Sequence, residues 1–204
     1  MVMRSLNTGH PRRSISKELT DKCSGQVEYV MGMYALLFVL VMALVSLQIL
    51  QYKADSDIAE DALAASCLAA LDIDPYRYGL DHELVINDPA HAREIFEEAL
   101  RGNMCLEADM SPCEEEASYI AGKVDIDDFR IYLVEGDSVT EYTVSEYGIT
   151  ESTGTYGNVK TPSGLAVRSA GAYAKISFDT YGIFGVRIRA CKEAYAEMLG
   201  KTGP

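Results

Sequence analysis

The stretch EYVMGMYALLFVLVMALVSL, residues 28–47, decides the fold class of this chain. No charged side chain occurs between Glu28 and Lys53, and only a glycine, a tyrosine and a serine interrupt the apolar run from Val30 to Leu47. A helix of about 18 residues, rising about 1.5 Å per residue, is about 27 Å long and matches the hydrocarbon core of a bilayer. The sequence therefore predicts a transmembrane helix over residues 26–50. A buried core helix and a cleaved signal peptide are the alternatives.

Charged residues are distributed unequally on the two sides of this segment. Residues 1–25 carry five basic and two acidic side chains, whereas residues 51–204 carry 13 basic and 28 acidic ones. Because lysine and arginine are retained in the cytoplasm, we expect residues 1–25 to be a basic cytoplasmic leader and the acidic C-terminal part to be extracellular. The expected location is the cell membrane, crossed once, with lipid as a partner. Nucleic acid is not an expected partner, because an acidic domain repels phosphate backbones.

Residues 51–73 continue the helix beyond the membrane. They contain no glycine or proline and are rich in alanine and leucine, which favours an amphipathic extension of the same helix. We expect its docked stripe to consist of apolar residues spaced three and four apart, namely Ile58, Ala62, Ala65, Leu68 and Leu71. Pro75 and Gly79 are predicted to end the helix.

Residues 74–204 have the patterns of a small α+β head. Asp88 is a candidate N-cap of a second helix, which begins at Pro89 and is predicted to stop at Gly102. The segment DDFRIYLVEGDSVTEYTV predicts two strands joined by a tight turn at residues 135–137, and AYAKISF and FGVRIRA predict two more. The glycine-rich residues 145–165 predict a long surface loop, with one short strand as the alternative. The fold class is therefore α+β, with a long N-terminal helix packed on a small antiparallel β-sheet.

The sequence contains no motif of an enzyme active site or of a cofactor site. It has no Gly-x-Ser-x-Gly, His-Glu-x-x-His or phosphate-loop pattern, and no paired Cys-x-x-Cys. His91 and Glu94 share a helix face, but exposed helices often place such residues together by chance. We therefore expect no catalytic residue, no metal site and no cofactor.

The predicted topology leaves Cys23 in the cytoplasm and four cysteines outside. Four cysteines allow three disulfide pairings. The preferred one joins Cys105 to Cys113, which closes a short polar loop, and Cys67 to Cys191, which fastens the long helix to the last strand. The alternative is that Cys67 is a small buried apolar residue.

A basic leader, a glycine-containing junction, and a glutamate and an aromatic residue at the start of an apolar helix together resemble type IV pilin-like proteins. The sequence SGQVEY, which ends in Glu28 and Tyr29, is similar to the junction of Flp-type prepilins and TadE-like pseudopilins of tight-adherence (Tad) pilus systems. The segments NDPAHAREIFEEAL and AYAKISFDTYGIFGV are similar to the heads of TadE-like proteins from Gram-positive bacteria. The resemblance covers most of the chain through short motifs.

The resemblance implies a minor pilin or pseudopilin that takes part in pilus assembly, adhesion or secretion at the cell surface. Its prepilin-type processing junction would comprise Cys23, Ser24, Gly25 and Gln26, cut by a prepilin peptidase. A cut before Ser24 makes Glu28 the fifth residue of the mature chain, whereas a cut after Gly25 makes it the third. The partners implied are other pilin or pseudopilin subunits and the pilus assembly platform.

Glu28 and Tyr29 have two interpretations. In the assembly interpretation, Glu28 neutralises the amino terminus of a neighbouring subunit in the membrane, where the attraction between opposite charges is stronger than in water. In the other interpretation, both residues anchor the helix at the membrane surface. The corresponding functional alternative is a single-pass, membrane-anchored extracellular binding module with no pilus role. A tethered enzyme is a third and weaker alternative.

Overall fold

The computed structural model describes residues 15–71, 88–114, 118–182 and 185–198, and for residues 15–25 it describes the backbone alone. The chain divides into two compact units between Leu47 and Gln48. The leader's first 14 residues and the predicted helix end at Pro75 and Gly79 lie outside the described residues. The boundaries predicted at residues 25, 50 and 73 remain predictions.

The first element, α1, is a 55-residue helix, Ile15–Ala69. An unbroken helix is expected here because no proline occurs within it and alanine and leucine dominate its second half. It begins earlier than the sequence predicted, before the apolar run, and it ends three residues before the predicted end near Asp72. Ala70 still donates to the carbonyl oxygen of Ser66, whereas Leu71 donates to that of Leu68, so the last turn tightens.

The second helix, α2, is Pro89–Met104. Asp88 caps it as predicted, because its Oδ1 accepts a hydrogen bond from the Ala90 N–H over 2.8 Å. The predicted stop at Gly102 is wrong by two residues. Cys105 ends the helix instead, in the left-handed conformation with φ 51°, and donates its backbone N–H to Arg101 O.

The sheet contains five antiparallel strands in the order β3-β2-β1-β4-β5. The strands are β1 Ile120–Glu135, β2 Ser138–Ser145, β3 Gly148–Thr155, β4 Gly171–Tyr181 and β5 Arg187–Glu197. The predicted turn between β1 and β2 is present, with Gly136 at a φ of 57° that favours glycine. The predicted count of four strands is wrong, because β3 occupies part of the stretch interpreted as a loop.

One face of the sheet is covered by α2 and by the part of α1 in the second unit, and the main core lies between them. Phe96 of α2 and Phe129 of β1 meet there, with ring centroids 4.7 Å apart. The predicted stripe on α1 is largely wrong: Ile58, Ala65 and Leu68 are exposed. The buried stripe runs through smaller side chains, namely Ala59, Ala62, Leu63, Ser66, Cys67 and Ala70. Small side chains allow a close approach of helix to sheet, which offsets the apolar area left exposed.

The opposite face of the sheet carries a second, smaller core. Tyr132 and Tyr173 are fully or almost fully buried there, packed with Val139 of β2 and Val167. Residues 156–170 cross this end of the sheet and are closed by a bridge between Lys160 and Ala166. The C-terminal unit is therefore a sheet covered on both faces, in an α+β arrangement as predicted.

Candidate functional site

The apolar part of α1 has exposed side chains all around the helix. From Val30 to Leu50 the large apolar side chains are exposed, and none of the most apolar stretch is buried within the protein. Apolar surface left in water costs about 25 cal/mol per Å², so this segment requires lipid or other helices around it. Among the described residues it is the one helix long and apolar enough to cross a membrane. It therefore fits a single transmembrane helix near the N-terminus.

The predicted processing junction lies within α1. The backbone of Cys23, Ser24 and Gly25 is helical, and the side chain of Gln26 is exposed. Glu28 and Tyr29 follow on the same helix, both exposed, and Tyr29 retains 76% of its accessible surface. The processing and assembly roles of these residues remain predictions.

Glu28 lies on the face of α1 that carries the smallest side chains. At 100° per residue, Gly32, Ala35, Val39 and Ala43 all fall within about 60° of Glu28 around the helix axis. A Cβ added to Gly32 would meet no atom within 4 Å. Sequence analysis missed this face, although the spacings of four and three starting from Glu28 were a sufficient signal. A face with small side chains lets another helix come close to the backbone.

Cys67 and Cys191 face away from each other. Cys67 has no exposed surface and lies on the α1 side of the sheet, where its Sγ is 3.9 Å from the carbonyl oxygen of Ala194. Cys191 is exposed and is one strand position from Lys192, whose side chain reaches Glu60 of α1. Since neighbouring residues of a strand point to opposite faces, Cys191 points away from α1. The predicted Cys67–Cys191 bond is therefore absent, and Cys67 is the small buried residue of the alternative.

Cys105 and Cys113 lie opposite each other in a short hairpin. Leu106 pairs with Pro112, and the Cys113 N–H donates to the Cys105 carbonyl oxygen over 3.0 Å. Both thiols are exposed and free in the structure. Directly opposed residues of an antiparallel pair have Cα atoms about 5.5 Å apart, within the range that a disulfide spans. The predicted Cys105–Cys113 bond is not formed here and remains a prediction for oxidising conditions.

A groove of about 950 Å³ opens beside this hairpin. Ile58 of α1, Met104 and Leu106 give it an apolar lining, and Arg101 and Tyr119 give it polar groups. Burial raises the pKa of Tyr119 to about 12, and desolvation followed by the Glu107 charge raises that of Cys113. Neither group is therefore an activated nucleophile at neutral pH. The groove has the chemistry of a binding surface.

The opposite face of the sheet carries an ion network. Arg130 of β1 contacts Asp128 and Glu141, each at 2.8 Å, and Tyr132 donates to Glu141 over 3.2 Å. These hydrogen bonds raise the pKa of Arg130, and burial raises that of Tyr132. Both shifts keep the groups in their ordinary protonation states, so the network joins β1 to β2. Within the described ranges, no group of three or more His, Cys, Asp and Glu side chains could hold a metal ion.

No protein-family model, curated protein or solved structure matches this chain. The assignment of function therefore rests on the residues and their geometry.

Proposed function

We propose that the chain is a membrane-anchored assembly subunit, a minor pilin or pseudopilin similar to the TadE-like and Flp-type proteins of Tad pilus systems. In this proposal α1 anchors the chain and associates with the helices of other subunits, while the acidic C-terminal unit lies outside the cell. The observation that carries the proposal is the position of Glu28 on the small-residue face of an exposed apolar helix.

The exposed apolar surface of α1 supports the anchor. A helix that is apolar on every side is stable in lipid or between other helices. Lipid alone satisfies this requirement, so exposure by itself does not distinguish a simple anchor from an assembly helix.

Glu28 favours assembly over a simple anchor. A carboxylate at the edge of the hydrocarbon region loses hydration, and an opposite charge on a neighbouring helix offsets that loss. Gly32 and Ala35 follow on the same face and allow a neighbour's backbone to come close. A carboxylate that only marked the membrane surface would have no need of small residues beneath it. Tyr29, one residue and 100° away, is suited to the surface role.

The charge distribution supports the orientation. Five basic side chains precede the apolar run, and Lys53 is the one that follows it closely. A membrane-impermeant thiol reagent applied to intact, wall-stripped cells should therefore label the exposed Cys191. Labelling of Cys191 only after the membrane is opened would contradict this orientation.

The groove of the C-terminal unit supports a second candidate, a membrane-anchored binding module with no role in assembly. A partly apolar groove with polar groups at its rim can hold a side chain or a segment of another molecule. In that case Glu28 would have no partner, and its charge would not affect recovery in complexes.

Neutralising Glu28 tests the choice between the two candidates. We expect Glu28→Gln, which keeps the size of the side chain, to insert normally and to lose most of its recovery in cross-linked complexes from native membranes. The matched control is Glu151→Gln, which removes the same charge from an exposed position on β3. Mass spectrometry of the amino terminus must accompany both, because a processing defect would mimic an assembly defect. Wild-type recovery of a normally processed Glu28→Gln protein would reject the assembly role.

A further inference from the structure

The hairpin that joins β4 to β5 carries exposed apolar side chains. Tyr181 is 45% exposed, Val186 60% and Ile188 44%. The first ends β4, and the others stand where β5 begins. Residues 183–184, at the tip itself, lie outside the described residues. An exposed hairpin in water usually carries polar side chains, so this cluster requires an explanation.

The hairpin has a defined shape around these side chains. The Gly182 N–H donates to the Val186 carbonyl oxygen over 2.7 Å, and the Gly185 N–H donates to the Gly182 carbonyl oxygen over 3.1 Å. Gly185 has a φ of 73°, which favours glycine, and a Cβ on Gly182 would collide with the Ile188 side chain. The exposed apolar surface therefore belongs to a closed, hydrogen-bonded turn.

Contacts within the C-terminal unit show at which end of it this hairpin lies. Along β5 towards the hairpin, Ala194 lies near Cys67 and Lys192 reaches Glu60. Further along, Ala190 lines a small cavity with Tyr52. The residue numbers on α1 fall in step with those on β5, so helix and strand run in the same direction. The hairpin therefore lies at the end of the unit where α1 begins, at residues 48–52.

That end of the unit has an apolar surface made of two elements. Ile49 and Leu50 of α1 are exposed, as are Val186 and Ile188 of the hairpin. Ile188 lies on the α1 side of the sheet, because it alternates with Arg187 and shares the face of Ala190. Tyr181 and Arg187 are paired across the two strands on the other side. Aliphatic side chains flanked by tyrosine and arginine are typical of the boundary between lipid and water.

We propose that the β4–β5 hairpin inserts into the interfacial layer of the membrane that α1 crosses, and that its ligand is the phospholipid surface. The inference rests on the anchor of the proposed function. Val186 and Ile188 would enter the boundary between headgroups and acyl chains, a depth of about 5–10 Å in comparable elements. Arg187 supplies a cation for lipid phosphate, whereas Arg189 is already paired with Asp125 and Asp179. The second contact fixes the tilt and rotation of the C-terminal unit at the membrane.

The sequence contains no tryptophan, so a single introduced tryptophan reports its own environment. The full chain is reconstituted in phosphatidylcholine and phosphatidylglycerol vesicles with and without brominated acyl chains. The reporters are Val186→Trp and, in case the first variant does not fold, the aromatic exchange Tyr181→Trp. Leu165→Trp is the matched control, since Leu165 is also apolar and 53% exposed but precedes the other end of β4. Leu40→Trp reports on the anchor.

We expect the hairpin reporter to emit at shorter wavelength than Leu165→Trp and to lose most of its intensity to brominated lipid, while Leu165→Trp keeps its intensity. Equal, unquenched emission from both, with Leu40→Trp quenched, would overturn the hairpin contact and leave the anchor intact. An unquenched Leu40→Trp would instead reject the anchor and the hairpin contact with it. A hairpin reporter that is blue-shifted but unquenched, and returns to longer wavelength on dilution of the protein in lipid, would place a second copy on the hairpin and also overturn the proposal.

Discussion

Cys67 of α1 lies 3.9 Å, from Sγ to carbonyl oxygen, from Ala194 of β5 and has no exposed surface. Cys191, on the same strand, is exposed on the other face. We expect Cys191 to react with a maleimide in the folded protein and Cys67 to react only after unfolding, because reaction requires both access and a thiolate. Mass spectrometry of labelled peptides measures both. Labelling of Cys67 in the folded protein at the rate of Cys191 would contradict the docking of α1.

The stability of the C-terminal unit should decrease at high pH. Burial raises the pKa of Cys67 from 9.0 to about 12. Between these values the unfolded chain holds fewer protons than the folded one, so the free energy of unfolding falls as the pH rises from about 9 to about 12, and the contribution is fully present below pH 9. Cys67→Ala should be less stable than wild type at pH 8 yet lose less stability between pH 9 and 11. Denaturant unfolding at each pH measures this, and Cys191→Ala should follow the wild type.

The pair Phe96 and Phe129 should be the most sensitive part of the main core. Both rings are buried, and Phe96 is the largest side chain that α2 contributes. Phe96→Ala should lower the free energy of unfolding by about 3–5 kcal/mol, through lost burial and the cavity left behind. Leu165→Ala, at an exposed position, should change it by less than about 0.5 kcal/mol. Similar effects for the two variants would mean that α2 does not cover the sheet.

The sequence predicted the helices and the principal strands because each carries a local signal. The apolar run specifies α1, and Asp88 with Pro89 specifies the start of α2, since a cap and a fixed φ act within one turn. Strand β3 was missed because GITESTGT is exposed along nearly its whole length and has no alternation of apolar residues. Its pairing with β2 is a tertiary contact that no pattern within the segment encodes.

The docked face of α1 was mispredicted for a related reason. Size and hydrophobicity favoured Ile58 and Leu68, but the sheet packs against the stripe that contains Ala59 and Cys67. Distance of closest approach, which depends on the partner surface, outweighed the apolar area of single side chains. The small-residue face around Glu28 shows the same effect, because periodicity identifies the face and only a neighbouring helix would reveal its use.

The cap of α2 provides a test on a local interaction. Asp88 Oδ1 accepts from the Ala90 N–H, which has no partner within the helix. Asp88→Ala should therefore lower the free energy of unfolding by about 1 kcal/mol, whereas Asp88→Asn should retain most of it. Chemical denaturation of both variants gives the comparison. Equal losses would show that the charge of Asp88, and not its hydrogen bond, stabilises this end of the helix.

The small-residue face of α1 provides the sharpest test of how the helix is used. Ala35 is on the face of Glu28, and Val41 lies on the opposite side of the helix. Ala35→Leu and Val41→Leu both enlarge an aliphatic side chain in the apolar run, so membrane insertion should be unaffected in both. If neighbouring helices pack on the Glu28 face, Ala35→Leu should weaken association by about 1–2 kcal/mol, since the larger side chain holds the backbones apart. Val41→Leu should associate as the wild type does. Energy transfer between differently labelled full-length chains, diluted progressively in lipid, measures both. Unchanged association in Ala35→Leu, or equal losses in the two variants, would mean that this face is not the packing surface, and the position of Glu28 on it would then give no support to an assembly role.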